Sequence, residues 1–307
     1  MTPFFSVVVT VYNKSNFIES TLKSVLNQSF KRFELIVVND GSTDNSVELI
    51  KTFKDSRLQL ITTRNQGASN SRNLGIEKAN CDYIALLDGD DTWDLEYLKT
   101  VSEAIAKFPD EKIYATAVSQ KYNERIIPLK YNIEQNAIFG VHNYFKASRE
   151  HSIITSSSVV FHKSILKKSG LFDSSIVSGQ DTDLWIRFGM QSNVVFINKQ
   201  LVTYNHSNMS LSNTTFKLKD KPKFDKYFKE EKNDPLLKAY LDRNRYAMAI
   251  LSKIVNDTKS FDFYTAHIDF ENLSRKQKLL LKCPRWVLKL LIKLKSIKNR
   301  KLYYPES

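Results

Sequence analysis

The chain has 307 residues, 42% of them hydrophobic and 12% aromatic, with 46 Lys and Arg against 33 Asp and Glu. That content excludes a disordered chain and suffices for a substantial core. Two cysteines, Cys81 and Cys283, exclude a disulfide scaffold and cannot make a zinc site alone. The opening residues lack a basic n-region and a cleavage site. No run of about 18 uncharged apolar residues occurs. The expectation is a chain without signal peptide or membrane-spanning helix, working in the reducing cytosol.

The first hundred residues alternate strand and helix signals. Phe4–Val11 is a β-branched and aromatic run suited to a strand buried on both faces. Asn16 and Glu19 form a capping pair, and Ile18, Leu22, Val25 and Leu26 come next at helical spacing. Phe33–Val38 reads as a second strand, succeeded by a helix near Asp44 with Val47, Ile50 and Phe53 on one face. Leu58–Ile61 is a third strand, Ala68–Ala79 a polar helix and Tyr83–Leu87 a fourth strand. Such alternation implies βαβ units and a parallel sheet. Further on, Asp94–Phe108 reads as a helix. Ile113–Ser119, Val159–His162 and Leu201–Tyr204 read as strands, and a helix starts near Asp181. From about Phe216 the pattern is helical, clearest over Leu236–Val255.

The loops after the early strands carry the chemistry. Tyr12-Asn13 succeeds the first strand, Asn39-Asp40-Gly41-Ser42-Thr43-Asp44 the second, and Asp88-Gly89-Asp90-Asp91 the fourth. Ligands of an open parallel sheet bind outside the carboxyl ends of its strands, so the three clusters are expected to share one crevice. Three carboxylates in four residues suit Mg²⁺ or Mn²⁺, which keep waters and bind one or two carboxylates plus substrate phosphates. A solvated acidic turn is the plain alternative. Asp40 could accept from an imide N–H such as that of uracil, or cap the next helix. Asp44 is better placed as the cap, which leaves Asp40 for a ligand. Arg72, in a polar segment, offers a fork suited to phosphate or carboxylate.

These segments, with Asn65-Gln66-Gly67-Ala68-Ser69-Asn70-Ser71-Arg72-Asn73-Leu74-Gly75 between them, occur in an order that resembles a family 2 glycosyltransferase. Gly170-Leu171-Phe172-Asp173, Gly179-Gln180-Asp181-Thr182-Asp183-Leu184-Trp185 and Tyr204-Asn205-His206-Ser207-Asn208-Met209-Ser210 resemble the family's downstream pattern. The resemblance covers roughly residues 4–212. It implies an α/β GT-A fold, with a Rossmann-like nucleotide-binding sheet inside a mixed central sheet. Residues 1–215 would be catalytic, 1–110 being the nucleotide-sugar half and 111–215 the acceptor half. Residues 216–307 would form a helical, basic C-terminal region.

By the same resemblance, Val11, Tyr12, Asp40, Arg72 and Asp88 would hold the nucleotide. Asp90 would bind Mn²⁺ or Mg²⁺ with His206 nearby, and Asp91 is the alternate ligand. Asp181 would be the catalytic base, with Asp183 a weaker substitute. Relatives read Glu-Asp where this chain reads Gln180-Asp181, which removes one like charge beside the base. The plain role for Asp181 is a helix cap. The implied reaction is a metal-assisted single displacement from a nucleotide-sugar, UDP favoured, to a hydroxyl of a saccharide or lipid-linked acceptor. It inverts the anomeric centre and needs no covalent intermediate. Bacterial capsule, O-antigen or exopolysaccharide synthesis is the implied setting.

The net charge of +13 is uneven: residues 275–301 hold 11 basic residues and no acid, against 35 basic and 33 acidic residues elsewhere. Between Leu279 and Ile297 leucines and Trp286 interleave with the lysines, and Val287, Leu290, Leu291 and Leu294 share one helical face. This predicts a helix lying on the inner face of the plasma membrane, so the enzyme is expected to be cytoplasmic and peripheral. The competing expectation packs that stripe on the body. A nucleotidyltransferase is disfavoured because Val11-Tyr12-Asn13-Lys14 stands where a glycine-rich phosphate loop belongs. A near-neutral body disfavours nucleic acid as a partner.

Overall fold

Phe5–Val11 (β1), Phe33–Asn39 (β2), Leu58–Thr62 (β3) and Tyr83–Asp88 (β4) open the sheet of the computed structural model. The structure describes residues 4–122, 125–133, 137–205, 218 and 221–296. The four strands run parallel in the order β3-β2-β1-β4, with Val7 of β1 between Leu35 and Ala85. Alternate residues of β1 serve two cores. Phe5, Val7 and Val9 pack on one side, and Val8 packs with Ile36 and Val38 on the other. A strand that feeds two apolar faces must be apolar throughout, which is why β1 reads as an unbroken run.

Ile18–Leu26 (α1), Ser46–Thr52 (α2) and Ala68–Lys78 (α3) supply the crossovers. The expected Asn16 cap does not form. Phe17 holds the cap position without a side-chain bond, and the Lys14 carbonyl accepts from Phe17 N and Ile18 N.

Beyond β4 the sheet becomes mixed. Thr92–Trp93 (β5) leads to Tyr97–Lys107 (α4), Ile113–Tyr122 (β6), Arg125–Pro128 (β7), Phe139–His142 (β8) and Tyr144–Ala147 (α5). Val159–His162 (β9), Leu166–Ser169 (α6), Gln180–Gly189 (α7) and Val194–Asn205 (β10) come after them. The full order is β3-β2-β1-β4-β9-β6-β10-β5, with β9 antiparallel to both neighbours and β6 parallel to β10. β10 is much longer than the Leu201–Tyr204 strand read from sequence. Its register shifts between Ile197 and Val202, a bulge that carries the polar Asn198-Lys199-Gln200 and hides the strand's alternation.

Pro235–Val255 (α8), Thr258–Ala266 (α9), Arg275–Lys282 (α10) and Arg285–Ser296 (α11) complete the described chain. Asp234 caps α8 by accepting from Leu236 N and Leu237 N, with Pro235 in the first turn, where no N–H is missed. Leu237, Tyr240 and Leu241 of α8, Leu280 and Leu281 of α10 and Leu288 of α11 join the same core as Val8 and Ile36. Ser274 and Gln277 form a capping box at the start of α10. Pro284 then holds Cys283 extended, so α10 and α11 are separate helices. Among the described residues no helix is long and apolar enough to cross a membrane.

Candidate active site

The three polar loops meet at the carboxyl end of the parallel strands. Asn13, after β1, donates its N–H to Ser42 Oγ at 3.0 Å and accepts from Thr43 N at 2.8 Å. Gly89, after β4, donates to the Thr10 carbonyl at 3.0 Å. A Cβ on Gly89 would stand 2.8 Å from that oxygen, so the acidic loop needs glycine to lie this close to β1.

The three carboxylates of this loop have different surroundings. Asp88 accepts from Arg72 Nη2 at 2.6 Å. Asp90 is paired with the Lys14 ammonium, and both side chains are part-buried. Burial, then the nearby Asp88 charge, pushes the Asp90 carboxyl above its ordinary range against the pull of Lys14. Asp91 is turned inward. Its oxygens accept from Ser157 Oγ at 2.6 Å and Asn205 N at 3.2 Å. Burial and the charges of Asp90 and Asp88 push it well above the usual carboxylate range.

Neither Lys14 nor Ser157 carries a local sequence signal for the site. Ser157 holds the loop from below, accepting from Asp88 N while donating to Asp91. Lys14 lies 76 residues from Asp90, and only the fold joins them.

Around this loop sit the other expected nucleotide contacts. Tyr12 is exposed at 45%, while the Val11 side chain is core and its carbonyl accepts from Asp40 N. Asp40 does not cap the helix after it. Its two oxygens accept from Gln66 N and Gly67 N, each at 2.9 Å, which fixes the entry to α3. The expectation that Asp44 leaves Asp40 wholly for a ligand is therefore revised. Asp44 does hold Ser46 N and Ser15 N, but Asp40 has backbone donors of its own. Arg72 is buried, and its Nη1 has no hydrogen-bond partner among the described residues. Burial opposes its charge, but Asp88 more than offsets that and keeps the guanidinium protonated.

Arg72 also reaches the other half of the site. Its guanidinium lies 5.4 Å from the Phe172 ring centre, and Phe172 in turn packs edge-on against Trp185 of α7 at 6.0 Å. Asn73 of α3 exchanges two hydrogen bonds with the Phe172 backbone. These contacts fix α7 against α3. Asp181 sits in the first turn of α7, part-exposed, and its charge acts on Arg72 and on the buried Tyr144 and Tyr240. It is not the helix cap, a position held by Gly179 in the left-handed conformation. Gln180 is buried, and its Oε1 has no partner among the described residues.

Asp183, the substitute base, is fully buried. It binds Arg187 Nε at 3.0 Å, Lys226 Nζ at 2.6 Å and the Tyr227 hydroxyl at 2.7 Å. His206, the expected neighbour of the metal, lies outside the described residues.

Among the described residues no group of three or more His, Cys, Asp and Glu is arranged to hold a metal ion. A Mg²⁺-type site does not require one, because substrate phosphates complete its shell. Asp90 fits such a site: its carboxylate is part-buried beside the cleft and already carries a cation, the Lys14 ammonium. Asp91 fits less well, since both of its oxygens face internal donors.

A mixed sheet with acidic loops at one strand end and a carboxylate on a facing helix defines a GT-A glycosyltransferase. The model for glycosyl transferase family 2 matches residues 6–170, more than half of the chain, and the chain belongs to that family. An uncharacterized glycosyltransferase of Rickettsia bellii is 35% identical over 199 residues, covering 64% of this chain and 28% of the relative. The glycosyltransferase GlyA of Streptococcus pneumoniae is 37% identical over 105 residues, 34% of this chain and 15% of the relative. The chain thus spans about a third or less of these two relatives' length. Among solved structures, S. aureus TarS 1-349 in complex with UDP-GlcNAc superposes with a TM-score of 0.61. It shares 15% identity over 87% of this chain and 91% of that one. At that identity the likeness shows the fold.

Proposed function

We propose that this glycosyltransferase moves a sugar from a UDP-sugar to a hydroxyl of a saccharide or lipid-linked saccharide, by one inverting displacement at a bacterial membrane surface. Capsule, O-antigen or exopolysaccharide synthesis is the setting this chemistry suits. The observation that carries the reading is the chain Asp88–Arg72–Phe172–Trp185, which joins the acidic loop to the helix that bears Asp181. The complexes of TarS with UDP-GlcNAc and with UDP support the choice of nucleotide.

In this reading residues 1–110 hold the donor and 111–215 the acceptor. Tyr12, exposed at the end of β1, packs on the base, and Asp40 keeps spare lone pairs for an imide N–H. Arg72, paired with Asp88, helps position the base or ribose side, and Asp88 takes the ribose side. Asp90, with His206, would hold Mn²⁺ or Mg²⁺, which when bound neutralises charge on the departing diphosphate. Asp181 accepts the proton of the attacking hydroxyl as the bond to the anomeric carbon forms.

The test is nucleotide release from a panel of sugar nucleotides. UDP release from at least one UDP-sugar, dependent on Mn²⁺ or Mg²⁺, is expected. No release from any donor would overturn the reading. Asp90→Ala is expected to remove metal-dependent UDP binding in calorimetry while the melting temperature holds. Unchanged affinity would take the metal away from Asp90.

Lys14→Met gives a second check on the same carboxylate. If the ammonium and the metal share Asp90, this variant binds Mn²⁺ without nucleotide about fivefold more tightly, the scale of a part-exposed ion pair of about 1 kcal/mol. Equal Mn²⁺ affinity in the two proteins would show that they do not compete.

A further inference from the structure

The C-terminal helices divide the apolar stripe expected from the sequence. Leu288 of α11 is fully buried and Val287 and Leu291 are half-buried, so the stripe expected to face outward packs in part on the body. Leu290 and Leu294 of that stripe remain outside, joined by Trp286. Trp286 is 68% exposed, Leu290 49% and Leu294 51%, and Leu279 of α10 adds 65%. Trp286, Leu290 and Leu294 stand four residues apart, spread over about 80° of the helix, with Leu288 about 200° from Trp286. The buried stripe therefore anchors the helix while the other is presented to solvent. The Arg285 Nε–H holds α11 to the end of α8 through the Ile254 carbonyl at 3.0 Å, so the presented face has a fixed orientation.

We infer that this outer face docks on an anionic lipid bilayer, with Trp286, Leu290, Leu294 and Leu279 entering the interface and the neighbouring lysines meeting the headgroups. The choice of occupant rests on charge. Residues 275–296 contain eight Lys and Arg and no Asp or Glu; Lys289 is exposed about 60° from Trp286 around α11, and Lys282 is exposed on α10. A second copy of the chain would bring that unbroken positive charge against itself. An anionic leaflet instead gains about fivefold in affinity per basic residue close to it. Tryptophan is the side chain whose ring settles at the headgroup boundary. A helix with one stripe seated on its own protein and another in the interface neither spans the bilayer nor detaches from the body. The inference rests on the proposed sugar transfer and deepens it, by naming the partner that would hold the enzyme where a lipid-linked acceptor is met. Its test does not depend on that transfer.

The experiment is cosedimentation of the full chain with phosphatidylglycerol-containing and with pure phosphatidylcholine vesicles, across a salt series. The wild type is expected to bind the anionic vesicles and to release as salt rises. Trp286→Ser/Leu290→Ser/Leu294→Ser is expected to bind at least about tenfold more weakly. Lys282→Glu/Lys289→Glu is expected to lose the preference for anionic over neutral vesicles. All three proteins should share one melting temperature and one rate of metal-dependent UDP release in solution, because the changed residues lie outside both the core and the site. The inference is overturned if the wild type ignores anionic vesicles at low salt, or if the serine variant binds them equally well. It is also overturned if those substitutions dissolve a dimer without touching vesicle binding, or if the wild type takes duplex DNA in place of vesicles. UDP release that persists while vesicle binding fails would remove the docking face and leave the glycosyltransferase standing. The converse would remove the activity and leave the face.

Discussion

Asp181→Asn is expected to keep UDP-sugar binding and lose transfer by at least about 100-fold, the lower end of what a positioned general base contributes. The substitution suits the question because the contact that shapes the side chain survives it. Asp181 Oδ1 accepts from Thr182 N at 2.8 Å, and an Asn amide oxygen accepts there equally well. The loss is the carboxylate's second oxygen as a proton acceptor, together with the negative charge that acts on Arg72, Tyr144 and Tyr240. Donor affinity read by calorimetry and transfer read by product formation separate the two roles. Near-normal transfer in the variant would place the base elsewhere. A parallel loss of donor affinity would mean that Asp181 acts by steering Arg72.

The parallel half of the sheet was legible because its local rules agree. β1, β2 and β4 are apolar runs that stop at a polar loop, and the structure ends them at Val11, Asn39 and Asp88. The polarity switch marks where the strand leaves the core, so the gathering of the polar loops at one sheet edge came from pattern alone. The order of pairing did not, since nothing local tells β9 to insert antiparallel between β4 and β6. Contacts across long separations were equally hidden. Lys14 on Asp90 and Ser157 under Asp91 span 76 and 66 residues. The same holds for Arg245, a buried arginine on the helix read over Leu236–Val255. Its partner Glu231 becomes visible only when α8 closes on the segment before it, whereas Asp242 lies one turn back on α8 itself. In the tail, composition showed an amphipathic helix but not which stripe the body would take. That depends on how α10 and α11 hinge at Cys283-Pro284.

Two carboxylates in the Gln180–Gly189 helix show how far apart adjacent acids can be in role, and Asp183→Ala is expected to be the destabilising one. Two residues are about 200° of helix rotation, so with Asp181 part-exposed on one side Asp183 turns toward the core. There it is fully buried and holds Arg187, Lys226 and the Tyr227 hydroxyl, and its charge pushes the Tyr227 hydroxyl, already raised by burial, further up. Removing it leaves the Arg187 guanidinium with the Ser169 carbonyl alone and the buried Tyr227 hydroxyl with only the main-chain carbonyl of residue 183, at 3.2 Å. Losing one partner of a buried pair costs several kcal/mol, and the part-exposed Lys226 brings the expected loss to about 3 kcal/mol. For a chain of this size that lowers the melting temperature by roughly 5 °C. Asp181→Asn should melt with the wild type. Thermal unfolding of the two variants side by side decides the matter. An Asp183→Ala protein that melts normally but fails to transfer would reverse the assignment, making Asp183 the chemical carboxylate and Asp181 a bystander.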